Sequence, residues 1–447
     1  MKVVLSNKVF FRPDDDLRDA LKKQLTYEII DSKVQIPKYH MMFGKVASDT
    51  YWMPATRLDM LESRGIELNI VDKRTDYPMH VPRPTFTLRE DQAEIIDDYV
   101  DNERTGAILN GKPGFGKTIA ALALAYELQQ KTLVICTNVD IRRMWEKEIE
   151  KFFGFSPSVI GSGRYEHDKC ITVANIQTVR KYGSELATEF GLLVVDEAHH
   201  CVAATFDFMV MQSKAKYKLG LTGTLWRKDG LHVCFPNYFG THIYQPKERN
   251  TIKPVVHRYK FPMEIPGVSA TPWALRVNEL YDQEEYRSKL KRLANAYALL
   301  GHKVLLVSDR TELLEWLAEE NQVPSFIITG KVEDRLAVQK DVSDCPTGCI
   351  LVATQSIFAE GISLNALSCV ILGAPTNNDS LVEQIAGRIQ RIEEGKLAPI
   401  LVDCALKGNT GSRHARTRYL VYQRRGWTVE NVNEQWLGQE IIKLNSQ

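Results

Sequence analysis

Residues Gly111-Lys112-Pro113-Gly114-Phe115-Gly116-Lys117-Thr118 constrain the fold of this chain more than any other stretch. An apolar run, Ala107 to Leu109, precedes them, and an alanine-rich helical segment, Ile119 to Gln129, follows. A strand that turns through glycines into a helix N-terminus aims backbone N–H groups at an anion. A lysine and a hydroxyl residue at its end complete a phosphate-binding loop. Here Gly111, Pro113, Gly114 and Gly116 form the wrapping turn, Lys117 neutralises the β- and γ-phosphates, and the Thr118 hydroxyl ligates Mg²⁺.

Such a loop needs a parallel α/β sheet behind it, and the surrounding pattern supplies one. Short β-rich runs at Thr132 to Cys136, Ile171 to Ala174, Leu192 to Val195 and Leu219 to Leu221 alternate with helical segments, the signature of a parallel sheet. A second series follows at Val304 to Val307, Phe326 to Ile328, Ile350 to Ala353, Val370 to Leu372 and Ile400 to Val402. The 447 residues suffice for two or three cores. The sequence therefore predicts two α/β lobes in tandem, 85–250 and 291–405, behind a small α+β domain, 1–84. In that first domain, strands are expected near Val3 to Phe11 and Tyr27 to Ile30, and helices over Asp15 to Leu25 and Thr56 to Arg64. Pro78, Pro82 and Pro84 mark its end. A proline-bearing stretch and a charged helix from Trp273 suggest an inter-lobe connection over 251–290, and 406–447 is a basic C-terminal segment.

Composition adds exclusions. A net charge of +1 with 44% apolar residues is ordinary for a globular protein, so any polymer-binding surface must come from local clusters. The eight cysteines are scattered, several inside apolar runs, which suggests buried thiols in a reducing, cytoplasmic setting rather than disulfides. No apolar run is long enough for a bilayer span, so no membrane partner is expected.

Leu192 to Val195 delivers Asp196-Glu197-Ala198-His199 at a strand end, where ligands of open α/β sheets sit. Asp196 suits the Mg²⁺ shell, and Glu197 suits orientation and deprotonation of an attacking water.

Together with the loop at Lys117, this tetrad resembles the DEAH-type signature of superfamily 2 helicases. Leu88-Arg89-Glu-Asp-Gln92 resembles the entry motif of the XPB-like branch, where the glutamine meets adenine, with Arg89 beside it. Leu221-Thr222-Gly223-Thr224, followed by Arg227-Lys-Asp229-Gly230, is similar to the motif that couples hydrolysis to movement, in which His199 also takes part. Gln384-Ile-Ala-Gly387-Arg388-Ile-Gln-Arg391 resembles the last helicase motif, in which Gln384 touches the γ-phosphate or water and both arginines act as fingers from the second lobe. Gly361, in Glu360-Gly361-Ile-Ser363, matches a nucleotide-side motif, although Ser363 stands where many relatives carry Asp.

The resemblance covers about Phe86 to Val402 and implies two RecA-like lobes that close on ATP and Mg²⁺. Within that superfamily the chain resembles the phage UvsW-type recombination helicases, which implies a double-stranded-DNA translocase acting on forks and four-way junctions. By the same resemblance, Thr137, Arg142, Arg143, Gln177 and Thr178 in the first lobe would hold DNA phosphates, as would Arg310, Thr329, Gly330, Lys331 and Thr354 in the second. The N-terminal domain would grip duplex. Arg413, Arg416 and Arg424 could add a phosphate-binding helix face, or cover the second lobe instead. The rival readings are an RNA helicase of the same superfamily and a nucleic-acid clamp that binds ATP without hydrolysis.

Overall fold

The computed structural model describes residues 1–29, 38–112, 114–201, 204–225, 229–247, 252–268, 270–355 and 364–445. Pro113, Arg227, Glu360, Gly361 and Ser363 of the expected motifs lie outside these residues. The chain divides into two compact units, Met1–Lys247 and Glu248–Gln447.

The first unit opens with β1 (Lys2–Leu5), β2 (Lys8–Phe11), β3 (Thr26–Ile29), β4 (Lys38–Met41), β5 (Gly44–Lys45), β6 (Tyr51–Pro54) and β7 (Asn69–Asp72). Five of these strands form a sheet ordered β5-β6-β2-β1-β7, and β3 pairs with β4. The expected run from Val3 to Phe11 is two antiparallel strands, because the polar pair Ser6-Asn7 turns the chain so that Leu5 faces Val9. The helix Asp15–Gln24 starts as its sequence demands, with the Asp14 carboxylate accepting from Leu17 N at 2.8 Å. Of the second expected helix only a short 3₁₀ turn and Asp59–Glu62 form.

A large parallel sheet follows: β8 (Gly106–Asn110), β9 (Thr132–Cys136), β10 (Ser158–Gly161), β11 (Arg164–Tyr165), β12 (Ile171–Asn175), β13 (Leu192–Val195), β14 (Tyr217–Thr222) and β15 (Ile243–Tyr244). Their order is β11-β10-β12-β9-β13-β14-β8-β15, with only β11 antiparallel. Both faces are buried: Leu133 and Ile135 enter one apolar core while Val134 and Cys136 enter the other. That is why the strands read as continuous apolar runs rather than alternating ones. The proline-rich stretch does not separate the N-terminal sheet from this one. Met79 N donates to Gln129 O at 2.9 Å, Tyr77 N to Gln130 Oε1 at 2.7 Å, and Val81 is fully buried. Prolines forbid a helix there, yet an extended strap still satisfies its backbone against the lobe.

The second unit carries β16 (Val255–Glu264), β17 (Lys303–Ser308), β18 (Ser325–Ile328), β19 (Cys349–Thr354), β20 (Cys369–Leu372), β21 (Ile400–Lys407) and β22 (Val429–Val432) in one parallel sheet ordered β18-β19-β17-β20-β21-β16-β22. The stretch expected as an inter-lobe connection thus supplies β16. Its prolines misled because Pro262 sits at the register shift between Phe261 and Glu264, where no ladder N–H is required. The C-terminal segment is equally built in, as the end of β21, the helix Gly408–Arg425, β22 and the helix Glu434–Asn445.

Candidate functional site

The phosphate loop leaves β8 at Asn110 and enters the helix Lys117–Leu128. Gly114 and Gly116 have φ of +90° and +86°, and a side chain at Gly116 would also place its Cβ 2.5 Å from Gln92 Nε2. Among the described residues no side chain caps this helix, and a helix N-terminus of this kind suits an anion. Lys117 Nζ donates to Gly111 O at 2.8 Å, folding the ammonium over the loop, and Thr118 follows it in the first helical turn. Gln92, 2% exposed, donates to Phe115 O at 2.8 Å and accepts from Arg89 N at 3.1 Å. Arg89 Nη2 also donates to Phe115 O. The glutamine and arginine of the entry motif therefore brace the loop from behind.

Asp196 and Glu197 stand at the end of β13, two strands from β8 in the sheet. Asp196 is 8% exposed; its Oδ2 accepts from Trp145 Nε1 at 2.8 Å and its Oδ1 from Glu197 N at 2.9 Å. Burial, reinforced by the Glu197 charge, pushes the Asp196 carboxyl up to about 6. A buried carboxylate lifted in this way, beside a glycine cradle and a lysine, is the environment that a bound cation relieves, so the residues fit Mg²⁺ with a nucleotide. Glu197 has φ +53° and ψ +52°, a rare backbone for a non-glycine residue. Its Oε2 lies 3.2 Å from His199 Nδ1, and the same nitrogen lies 3.2 Å from Thr222 Oγ1. The Thr222 hydroxyl donates to Thr224 O at 2.6 Å and accepts from Thr224 N at 3.2 Å. His199 Nδ1 therefore stands between the Glu197 carboxylate and the Thr222 hydroxyl, within polar contact of both. A continuous polar line thus runs from Glu197 through His199 and Thr222 to Thr224.

The residues expected at the polymer divide. Thr137, Gln177 and Thr178 lie just beyond the C-terminal ends of β9 and β12, and Arg143 lies in the helix Val139–Phe153 that follows β9. Gln177 Nε2 donates to Thr137 O at 3.0 Å, and Arg143 is exposed. Arg142 is not a surface cation: it is 4% exposed, its Nε is 3.2 Å from Glu146 Oε1 and its Nη2 donates to Ser162 Oγ at 3.2 Å. Its place on the inward face of the helix Val139–Phe153 buries it, and burial lowers its pKa. In the second unit Arg310, Thr329 and Thr354 sit at the ends of β17, β18 and β19. Arg310 bonds Asn278 and Asp309, Lys331 pairs with Glu315 at 2.8 Å, and Gly330 is exposed beside it. Gln384 and Arg388 share one face of the helix Asp379–Ile389, and Arg391 beyond it donates to Asn365 Oδ1 at 2.7 Å.

Two features went unread in the sequence. Trp145 reads as core, and it is fully buried, but its indole N–H holds the Asp196 carboxylate. The turn Gly161-Ser162-Gly163, with φ of +149°, +53° and +83°, lies over Arg142 and Asn175, and a Cβ at Gly161 would come within 2.6 Å of Asn175 Oδ1. The Gly-Ser-Gly spelling was the available signal.

Comparison with known proteins agrees with this geometry. Residues 85–227 match the family described as Type III restriction enzyme, res subunit, and residues 288–393 match the helicase conserved C-terminal domain. The chain is 51% identical over 433 residues to the probable helicase D10 of Escherichia phage T5, covering 96% of this chain and 95% of that one. It is 24% identical over 369 residues to the ATP-dependent DNA helicase uvsW of Enterobacteria phage T4, covering 74% and 72%. It is also 26% identical over 275 residues to the DNA 3'-5' translocase XPB2 of Sulfurisphaera tokodaii, covering 61% and 58%. In fold it is similar to S. cerevisiae Dbp5 bound to RNA and ADP BeF3, with a TM-score of 0.56 and 12% identity over 79% of this chain and 92% of that one. The two parallel lobes, the phosphate loop and the near full-length likeness to a phage helicase place this chain among the superfamily 2 helicases, as an ATP-dependent helicase acting on nucleic acid.

Proposed function

We propose that this helicase is a double-stranded-DNA translocase that remodels branched DNA such as forks and four-way junctions. The observation that carries a motor is the polar line from Glu197 to Thr224, because it joins the hydrolytic carboxylate to the loop after β14. The DNA part of the reading is supported by relatives whose names record a DNA helicase and a DNA translocase.

In this reading the loop N–H groups and Lys117 hold the β- and γ-phosphates, and Gln92 with Arg89 keeps the loop in shape. Thr118 and Asp196 would hold Mg²⁺, which when bound would supply positive charge at the phosphates. Trp145 keeps Asp196 oriented. Glu197 takes the proton of the attacking water, and Gln384, Arg388 and Arg391 are assigned to the γ-phosphate and its developing charge. Loss of that charge alters the Glu197 contact with His199, and Thr222 and Thr224 pass the change to their loop. Thr137, Arg143, Gln177 and Thr178, with the strand-end residues of the second unit, hold backbone phosphates without reading bases.

A relative from Acanthamoeba polyphaga mimivirus, 23% identical, is described as a putative ATP-dependent RNA helicase, so RNA is the competing substrate. Steady-state ATP hydrolysis with Mg²⁺ tests the choice, with single-stranded DNA, duplex DNA, a four-way junction or structured RNA added in turn. Strongest stimulation by duplex or junction DNA is expected. Stimulation by RNA alone overturns the DNA assignment, and absence of turnover with every polymer overturns the motor.

A further inference from the structure

We infer that the helix Gly408–Arg425 is a positioning clamp for the helix that carries Gln384 and Arg388, and that its Arg418, Arg424 and Arg425 serve ATP turnover rather than DNA binding. The inference rests on the reading that Arg388 and Arg391 act on the γ-phosphate.

The clamp has a buried root and a surface tip. At the root, Arg418 is 3% exposed and faces Asp403, which is fully buried on β21. Its Nε donates to Asp403 Oδ1 at 2.8 Å and its Nη2 to Cys404 O at 3.2 Å, which fixes the guanidinium against the sheet. Its remaining nitrogen, Nη1, donates to Thr376 O at 2.9 Å. Thr376 lies between β20 and the arginine-bearing helix, and its hydroxyl accepts from Asn378 N at 3.1 Å, where Asn378 is the N-cap of that helix. One planar cation therefore ties the middle of β21 to the entry of the helix Asp379–Ile389. At the tip, two turns further on, Arg424 Nη2 lies 3.3 Å from Asp379 and 3.2 Å from Glu383, and Arg425 Nη2 is 2.7 Å from Glu383. Glu383 immediately precedes Gln384. The tip thus pins the face of the helix next to the residue assigned to the γ-phosphate.

This arrangement assigns Arg424 and Arg425 to their own protein rather than to a polymer. A cation held by two carboxylates of its own protein has little charge left for a DNA phosphate, whereas an arginine finger must be placed to within a fraction of an ångström. Small displacements remote from the reacting atoms cost up to about a hundredfold in rate.

The test is the double variant Arg424→Ala/Arg425→Ala in the full chain, alongside Arg424→Lys/Arg425→Lys, Arg418→Lys and Arg391→Ala. The alanine pair lies at the surface and leaves Asp403 paired, so it keeps the inference testable if Arg418→Lys fails to fold. For the alanine pair we expect the maximal ATPase rate to fall about 3- to 10-fold, with KM for ATP, DNA affinity and the slope of DNA affinity against salt unchanged. The lysine pair should recover most of the rate. A reduced salt slope with an unchanged maximal rate would show a phosphate grip and overturn the clamp. An unchanged rate in the alanine pair, with Arg391→Ala inactive, overturns the clamp alone. An unchanged rate in Arg391→Ala overturns the finger reading and the clamp with it.

Discussion

Replacing Asp196 by Asn should make the metal-free protein more stable while abolishing its turnover. The native carboxyl is pushed from about 3.8 to about 6, chiefly by burial and then by the neighbouring Glu197 charge. A difference of roughly two pH units corresponds to about 3 kcal/mol. Because the native pKa lies above the unfolded one, this carboxyl contributes most to folding below about pH 4, and that contribution is lost as pH rises through 6. At pH 8 the ionised group therefore costs the folded state about 3 kcal/mol, to order of magnitude, relative to a neutral isostere. The Trp145 and Glu197 hydrogen bonds already reduce that cost, since both lower the pKa. Asn keeps the shape and an oxygen for Trp145 but turns its NH₂ toward the Glu197 N–H, a loss of about 1 kcal/mol, so Asp196→Asn should recover about 2 kcal/mol. For a unit spanning Met1–Lys247, this is about 4–8 °C in melting temperature. Thermal unfolding in chelator at pH 8 and pH 4.5 measures it: the variant should melt higher at pH 8, and the gap should close by pH 4.5, where linkage leaves about 1 kcal/mol and the lost Glu197 hydrogen bond offsets it. Mg²⁺ with a non-hydrolysable ATP analogue should stabilise the wild type far more than the variant. Equal melting at pH 8, or a less stable variant there, would refute the claim that the metal carboxylate is held at the expense of folding.

Other consequences follow from the same geometry. Gly116→Ala forces a strained φ of +86° and a Cβ 2.5 Å from Gln92 Nε2, so stability should fall by about 1–3 kcal/mol and nucleotide-analogue affinity at least about tenfold by calorimetry. Glu197→Gln should retain ATP and DNA binding while turnover drops about 10²- to 10⁴-fold; retained turnover would place the base elsewhere. Thr222→Val removes the hydroxyl between His199 and Thr224. Basal hydrolysis should persist, while stimulation by DNA falls about fivefold, the order of one hydrogen bond.

Most of the sheet architecture was legible because strands buried on both faces must be apolar throughout, as at Leu192 to Val195 and Cys349 to Thr354. The phosphate loop and the acidic pair were legible because their chemistry needs fixed residue types at fixed spacing, and the structure sets both at strand ends. Side-chain direction was not. Arg142 and Arg143 are adjacent in sequence, yet one turns into the core and the other outward, which only the helix phase against β9 and β12 decides. Arg418 reads as one more cation in a basic tail, and only the register of β21 reveals Asp403 beneath it. The prolines at Pro262 and Pro266 masked β16, whose partners β21 and β22 lie far along the chain. Trp145 shows the same limit from the other side: burial was readable from composition, but its hydrogen bond to Asp196 depends on how the helix after β9 crosses the end of β13.

The central claim is that ATP hydrolysis here drives movement on branched DNA, and a mobile four-way junction tests it most directly. Labelled junctions with homologous arms would be mixed with the protein, Mg²⁺ and ATP, and conversion to duplex products followed in time, with Glu197→Gln and an RNA duplex as controls. The account predicts ATP-dependent resolution of the junction by the wild type, none by Glu197→Gln, and little unwinding of the RNA. Rapid RNA unwinding with an untouched junction would contradict it.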